Sequence, residues 1–249
     1  MVDFDAMKPA AAPPPPVRCA SCEDRGWIVR PGDDGVERAS PCDCAKRRGL
    51  DLSISSARIP ERYRHCTIQN FSPLNASLRR AREAADELAN DWPQVQAGLL
   101  FCGPCGSGKT HLAVGLLQAL IRRHQVSGLY VDCALLIREI QDAFGSDDRS
   151  RRDLIRPVEE TEVVLLDDLG GTKPSEWVRD TIAGIVNSRY NASRLTLVTT
   201  RFADEPANAV ELTLEQQVGV AVRSRLYEMC TTWRLETDDF RRRVRNASH

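Results

Sequence analysis

The sequence predicts an α/β fold, a parallel sheet flanked by helices, with a small cysteine-held module in front of it. Three observations carry that expectation. Short apolar runs without polar alternation recur between segments of helical spacing, and a strand with no polar face needs cover on both sides. A glycine-rich octet stands between one such run and the helix that follows it. Four of the nine cysteines fall in two tight pairs near the N-terminus.

In chain order, residues 1–17 contain the tract Pro13-Pro14-Pro15-Pro16, a stiff extended tail that builds no core. Residues 18–48 hold few large apolar side chains, so burial alone does not fold them and their cysteines are read as the staple. Residues 49–75 are read as a linker and 76–249 as the main domain. Helical spacing runs over 78–89 and closes at Trp92-Pro93. The apolar run 98–102 predicts a buried strand, 110–123 a helix, 128–131 a strand and 133–144 a helix. A polar, arginine-rich stretch at 147–153 leads into another short helix. Residues 163–166 form a continuous apolar strand ending in Asp167-Asp168. A helix over 175–188, a strand over 195–199, one helix over 213–229 and a last strand over 231–235 complete the pattern. Crossovers in such sheets are right-handed, and ligands gather outside the carboxyl ends of the strands.

The 249 residues suffice for one α/β domain and a small extra module. The formal net charge is −1, so no global field draws the chain to nucleic acid, and contact there needs a local basic patch. No apolar run approaches a bilayer span, so no membrane partner is expected. The N-terminus carries Asp3 and Asp5 where a secretory signal needs a basic start. A cytoplasmic location with unbridged thiols is therefore expected.

The chemistry is concentrated in Gly103-Pro104-Cys105-Gly106-Ser107-Gly108-Lys109-Thr110, which matches the P-loop pattern at every fixed position. The glycines let the loop turn so that successive backbone N–H groups converge on phosphate oxygens. The helix that follows aims its positive end at the same point. Lys109 supplies a mobile charge for the terminal phosphates, and Thr110 offers a hydroxyl to Mg²⁺. ATP and Mg²⁺ are the cofactors these residues call for. Asp167, at the end of a buried strand beside the P-loop strand, is assigned to the Mg²⁺ shell. Asp168 then stands where a base orients and polarises the attacking water. Thr200, in Thr199-Thr200-Arg201, comes within reach of the γ-phosphate if its strand lies between the other two. A plain polar strand end is the alternative reading there.

Cys19-x-x-Cys22 and Cys42-x-Cys44 suit tetrahedral Zn²⁺, and four-cysteine sites are usually structural. A redox pair is the rival, but it leaves the second pair unexplained. Basic clusters occur at Lys46-Arg47-Arg48, Arg79-Arg80-Arg82, Arg149-Arg151-Arg152 and Arg241-Arg242-Arg243-Arg245. A run of charge is by default a solvated face.

With these residues in place, the chain resembles the AAA+ ATPases of the DnaC/IstB group, helicase loaders and transposition helpers, over roughly 59 to 245. The lead-in Ile59-Pro60-Glu61-Arg62-Tyr63 with Asn70-Phe71, the continuation His111-Leu112-Ala113 and the element Arg223-Ser224-Arg225-Leu226 point to this branch. The resemblance implies an AAA+ core with little or no lid, and adds His111 to the nucleotide-binding set. It also implies that Arg225 is an arginine finger acting on a neighbouring subunit, so that hydrolysis requires self-assembly. Contact with single-stranded DNA through the core, and with a replicative helicase through a zinc module, are likewise implied by it. Two positions depart from the pattern: Arg201 replaces a usual Asn, and Ala221 a frequent Arg four residues before the finger.

The function expected is thus an ATP-binding and hydrolysing AAA+ protein acting in DNA replication as a helicase-loader-like factor. An IstB-like transposition helper and a non-hydrolysing ATP-switched adaptor are the alternatives. A small-molecule kinase needs a mobile lid and an acceptor pocket, and the sequence offers neither.

Overall fold

The structure, a computed structural model, describes residues 19–32, 34–143, 148–205, 211–237 and 239–240. The proline tail, the basic run at 241–245 and the side chains of Lys46, Arg48 and Arg149 lie outside the described residues. The chain divides into two units, Met1–Asp51 and Leu52–His249.

In the first unit β1 (Trp27–Pro31) and β2 (Glu37–Pro41) pair antiparallel, with Trp27 opposite Pro41 and Pro31 opposite Glu37. The sequence reading did not foresee this hairpin, because neither strand buries a face and no alternation marks it. Helix α1 (Asp43–Ser56) starts just after the hairpin.

The second unit continues with a 3-10 turn (Glu61–Tyr63), α2 (Ala76–Asp91), β3 (Gly98–Cys102), α3 (Lys109–His124), β4 (Gly128–Asp132), α4 (Cys133–Asp142) and α5 (Asp148–Glu160). It closes with β5 (Val163–Asp167), α6 (Glu176–Asn191), β6 (Leu195–Thr200), α7 (Leu214–Val218), α8 (Val220–Met229) and β7 (Cys230–Arg234). The five strands form one parallel sheet in the order β4-β5-β6-β3-β7. Alternation along β3 fills both faces: Leu99 and Phe101 join the core under α2 and α3, while Leu100 and Cys102 join the core under α4, α6 and α8. That is why β3 and β5 read as nearly unbroken apolar runs.

Three expectations change. The acidic strand β5 is not next to the P-loop strand β3, because β6 lies between them. The helix expected over 213–229 is broken at Gly219, whose φ of 91° leaves the helical region and is easily adopted only by glycine. The stretch 49–75, read as a linker, contributes Ala57, Ile59, Cys66, Ile68 and Phe71 to the core. It lies so close over α3 that a Cβ on Gly115 would meet the backbone of Thr67 and Ile68 at 2.6 and 2.7 Å.

Arg189 on α6 is fully buried and donates to carbonyls of Val158 (2.9 Å), Thr161 (2.8 Å) and Leu195 (2.6 Å), and to Thr196 Oγ1 (3.0 Å). It thereby caps the end of α5, whose last carbonyls have no partner within the helix. Burial pulls the guanidinium down to about 10, so it remains charged at neutral pH. Arg189→Met is expected to cost about 3–5 kcal/mol, since it strands several buried acceptors at once. Urea unfolding followed by circular dichroism reads this directly, and a loss below about 1 kcal/mol would contradict the capping role.

Candidate nucleotide site and metal centre

The octet between β3 and α3 takes the turn its glycines predict. Gly103, Gly106 and Gly108 all have positive φ, at 141°, 76° and 91°. At Gly108 a Cβ would meet the Phe71 ring at 2.7 Å, so the loop and the lead-in segment are packed against each other. Lys109 opens α3, and its ammonium donates to Gly103 O at 2.8 Å and Pro104 O at 2.7 Å. Burial lowers its pKa, opposed by the nearby charges of Cys105, Asp168 and Asp167. The ammonium therefore lies across the mouth of its own loop, in the field of the two acids.

Thr110 Oγ1 donates to Asp167 Oδ1 at 2.8 Å, and Thr199 Oγ1 donates to the same oxygen at 2.5 Å. Tyr130 Oη donates to the other oxygen, Oδ2, at 2.7 Å. Burial, and then the Asp167 charge, hold the Tyr130 phenol well above its ordinary pKa, so it stays a donor. A hydroxyl and a buried carboxylate side by side at the start of a P-loop helix are hard oxygen ligands of the kind Mg²⁺ takes. Thr110 and Asp167 are the residues that would hold it, and the ion would neutralise phosphate charge there.

Asp168 turns out of the strand at φ 52°, its N–H donating to Thr199 Oγ1 at 2.9 Å. Gly171 gives its carboxylate room, since a Cβ there would strike Asp168 Oδ2. Arg201 Nε and Nη2 engage the two carboxylate oxygens at 3.2 and 2.5 Å. The residue that departs from the expected Asn therefore holds the expected base. Both lie on the cleft beside the P-loop, a space of about 750 Å³ that also takes in Phe71, His111, Tyr130 and Thr199. That volume falls in the range of about 300–1,000 Å³ common for small-molecule sites.

One expected site residue, Thr200, is placed differently. The strand order does put β6 between β3 and β5, but alternation turns Thr199 toward the acids and Thr200 away from them. Thr200 is fully buried and its hydroxyl donates to Leu169 O at 2.8 Å, a loop contact. His111 Nε2 lies 2.7 Å from Asn70 Oδ1 and 3.3 Å from Thr67 O, both acceptors, so this nitrogen carries the proton and ties the lead-in to α3. Arg225 does not line the cleft of its own chain. It donates to Ala221 O at 3.2 Å and lies 5.8 Å from the Tyr190 ring. Arg223, near the place of the missing arginine, is turned inward onto Asp204 at 2.6 and 2.5 Å.

In the first unit the four sulfurs of Cys19, Cys22, Cys42 and Cys44 lie within 4.8 Å of one another. Cys19 and Cys42 are 3.8 Å apart, Cys22 and Cys44 3.2 Å. Four thiolates at about 2.3 Å from a tetrahedral Zn²⁺ stand about 3.8 Å apart, so the donor set fits that ion. The Gly26 N–H donates to Cys22 Sγ at 3.3 Å, an outer contact of the sort that orients metal thiolates. Cys42 N–H donates to Gly26 O at 2.8 Å, which joins the second pair to the first.

Sequence reasoning missed Tyr130, Thr199 and the Arg201–Asp168 pair. The first two are hydroxyls on strands, and only the register beside Asp167 gives them meaning. Among the basic clusters, Arg79, Arg80 and Arg152 are exposed, as a solvated face is. No described helix is long and apolar enough to cross a membrane.

The "Phage-like element PBSX protein XkdC" of Bacillus subtilis (strain 168) is 24% identical over 242 residues, covering 92% of this chain and 85% of that one. "Replicative helicase loader DnaC" of Escherichia coli (strain K12) is 25% identical over 196 residues, covering 78% of this chain and 77% of that one. Among solved structures, that of the DnaC helicase loader superposes with a TM-score of 0.63 at 29% identity, covering 71% of this chain and all of that one. Residues 45–248 match the family described as IstB-like ATP binding protein. That span takes in the loop, the two acids and all five strands of the parallel sheet, and the chain belongs to the IstB-like ATP-binding proteins of the AAA+ class, akin to the DnaC helicase loaders.

Proposed function

We propose that this chain is an ATP-hydrolysing switch of the helicase-loader type, active when assembled with further copies of itself. The observation that carries the reading is the grouping of Lys109, the Thr110–Asp167 contact and Asp168 around one cleft. In the reaction, a water oxygen bonds to the γ-phosphorus as the bond from that phosphorus to the bridging oxygen breaks. The electron pair stays on ADP, and the water's proton passes to Asp168 and then to the released phosphate. Asp168 must first leave Arg201, which favours slow turnover by the isolated chain.

Arg225 lies outside its own cleft, so its charge is free to enter a neighbour's, where it would stabilise the transferring phosphoryl group. The similarity to DnaC loaders and the four-cysteine unit favour a ring helicase as partner, with single-stranded DNA bound through the core. The family match equally supports the second reading, a transposition helper on the same core.

The test is phosphate release with and without single-stranded DNA, for wild type and Arg225→Ala. Arg225→Ala is expected to lower kcat by roughly a hundredfold or more while nucleotide affinity stays nearly unchanged. Equal rates in the two proteins would remove the finger, and a response to neither DNA nor Arg225 would favour an unassembled enzyme. Capture of a ring helicase against a transposase decides between the two readings.

A further inference from the structure

Asp167 is the acid assigned to Mg²⁺, and its two oxygens are served unequally. Thr110 and Thr199 both donate to Oδ1, at 2.8 and 2.5 Å. If those were its sole partners, Oδ2 could swing about the last side-chain bond. Tyr130 engages Oδ2 at 2.7 Å from the neighbouring strand β4. Both groups are nearly inaccessible, Tyr130 at 6% exposure and Asp167 at 7%, so water competes little for this bond.

The Tyr130 ring is itself held by the lead-in segment. Its backbone N–H donates to Ala57 O at 2.8 Å. The Tyr63 ring, from the 3-10 turn, packs against it at 6.4 Å between centroids, tilted by 41°. The Arg62 guanidinium covers Tyr63 at 4.9 Å, and Arg62, Tyr63 and Tyr130 all line the nucleotide cleft. One wall of the cleft is thereby joined to the metal-holding acid through a single phenol.

We propose that Tyr130 is a positioning residue for Mg²⁺, locking the Asp167 carboxylate in the rotamer that faces Thr110 and relaying to it the placement of the 57–63 segment. The proposal rests on the nucleotide-binding reading above. Outer contacts of this type orient metal ligands without touching the metal. The hydroxyl acts on metal binding, whereas the ring acts on packing, and the two roles separate in Tyr130→Phe.

The experiment is equilibrium binding of a fluorescent ADP to the full chain, titrated with Mg²⁺ and repeated in excess EDTA. For Tyr130→Phe the Mg²⁺ concentration at half-effect is expected to rise about tenfold, with metal-free affinity changed less than about twofold. Tyr63→Leu, which keeps the hydroxyl but loosens the ring, should move the same midpoint in the same direction by a smaller factor. An unchanged midpoint in Tyr130→Phe, or an equal loss of affinity in EDTA, overturns the proposal while leaving the nucleotide site intact. Wild-type protein that binds no nucleotide at all overturns the site and the proposal together.

Discussion

Lys109→Ala is expected to weaken binding of Mg²⁺–ATP by roughly a hundredfold and to bring hydrolysis down to background. The size follows from where the ammonium sits. It is half-buried at the start of α3, bonded to Gly103 O and Pro104 O, with Asp167 and Asp168 in electrostatic range. Phosphate oxygens entering the loop would meet both acids, and Lys109 is the cation on the P-loop that offsets them. Alanine leaves the backbone amides in place but removes the ammonium that meets the phosphate charge within the loop. The fold should be almost indifferent, because the lost contacts are to carbonyls at the cleft, where water replaces the ammonium. Isothermal titration of wild type and variant with ATP and Mg²⁺ measures the effect. Affinities within threefold of each other would mean that the loop does not hold phosphate.

Removing zinc is expected to unfold the first unit and leave the second one standing. Among the described residues of that unit, the buried hydrophobic side chains are Cys22 and Cys42, so the core and the metal ligands are the same atoms. Both faces of the β1–β2 hairpin are largely exposed, and two strands alone are at best marginally stable in water. Structural zinc sites contribute about 10–16 kcal/mol in comparable small folds, far more than this hairpin can supply without the ion. Metal analysis should find about one zinc per chain. Chelation, or Cys42→Ser, should open residues 19–51 to protease while the melting of the second unit stays where it was. Equal protease resistance with and without metal would show that something other than zinc holds the module.

Much of this was legible from local pattern. Strands β3 and β5, of five residues each, betray themselves as nearly unbroken apolar runs because a strand covered on both faces has no side turned to water. The P-loop reads from sequence because its chemistry is local: eight consecutive residues supply turn, amides, charge and hydroxyl. The four-cysteine set is nearly as local, since two short turns and one hairpin bring its sulfurs together. Asp167 and Asp168 announce themselves by ending such a strand. Thr200 shows the limit of local reading. Its strand does lie between the other two, the condition on which its expected role rested, yet one residue of register assigns the acid contact to Thr199 and the loop contact to Thr200. Gly219 shows another: helical spacing persists through it, but its φ of 91° breaks the helix.

By itself, the sequence determined the class of fold, the phosphate loop, the pair of acids and the four thiols, because each is a contiguous or strand-terminal pattern whose physics acts within a few residues. The tertiary structure alone decided which partners those groups meet. It set β6 between the loop and the acids, brought Tyr130 to Asp167, turned Arg201 onto Asp168 and left Arg225 outside its own cleft. Such contacts join residues more than thirty positions apart, and they depend on strand order and side-chain direction, which no local periodicity encodes.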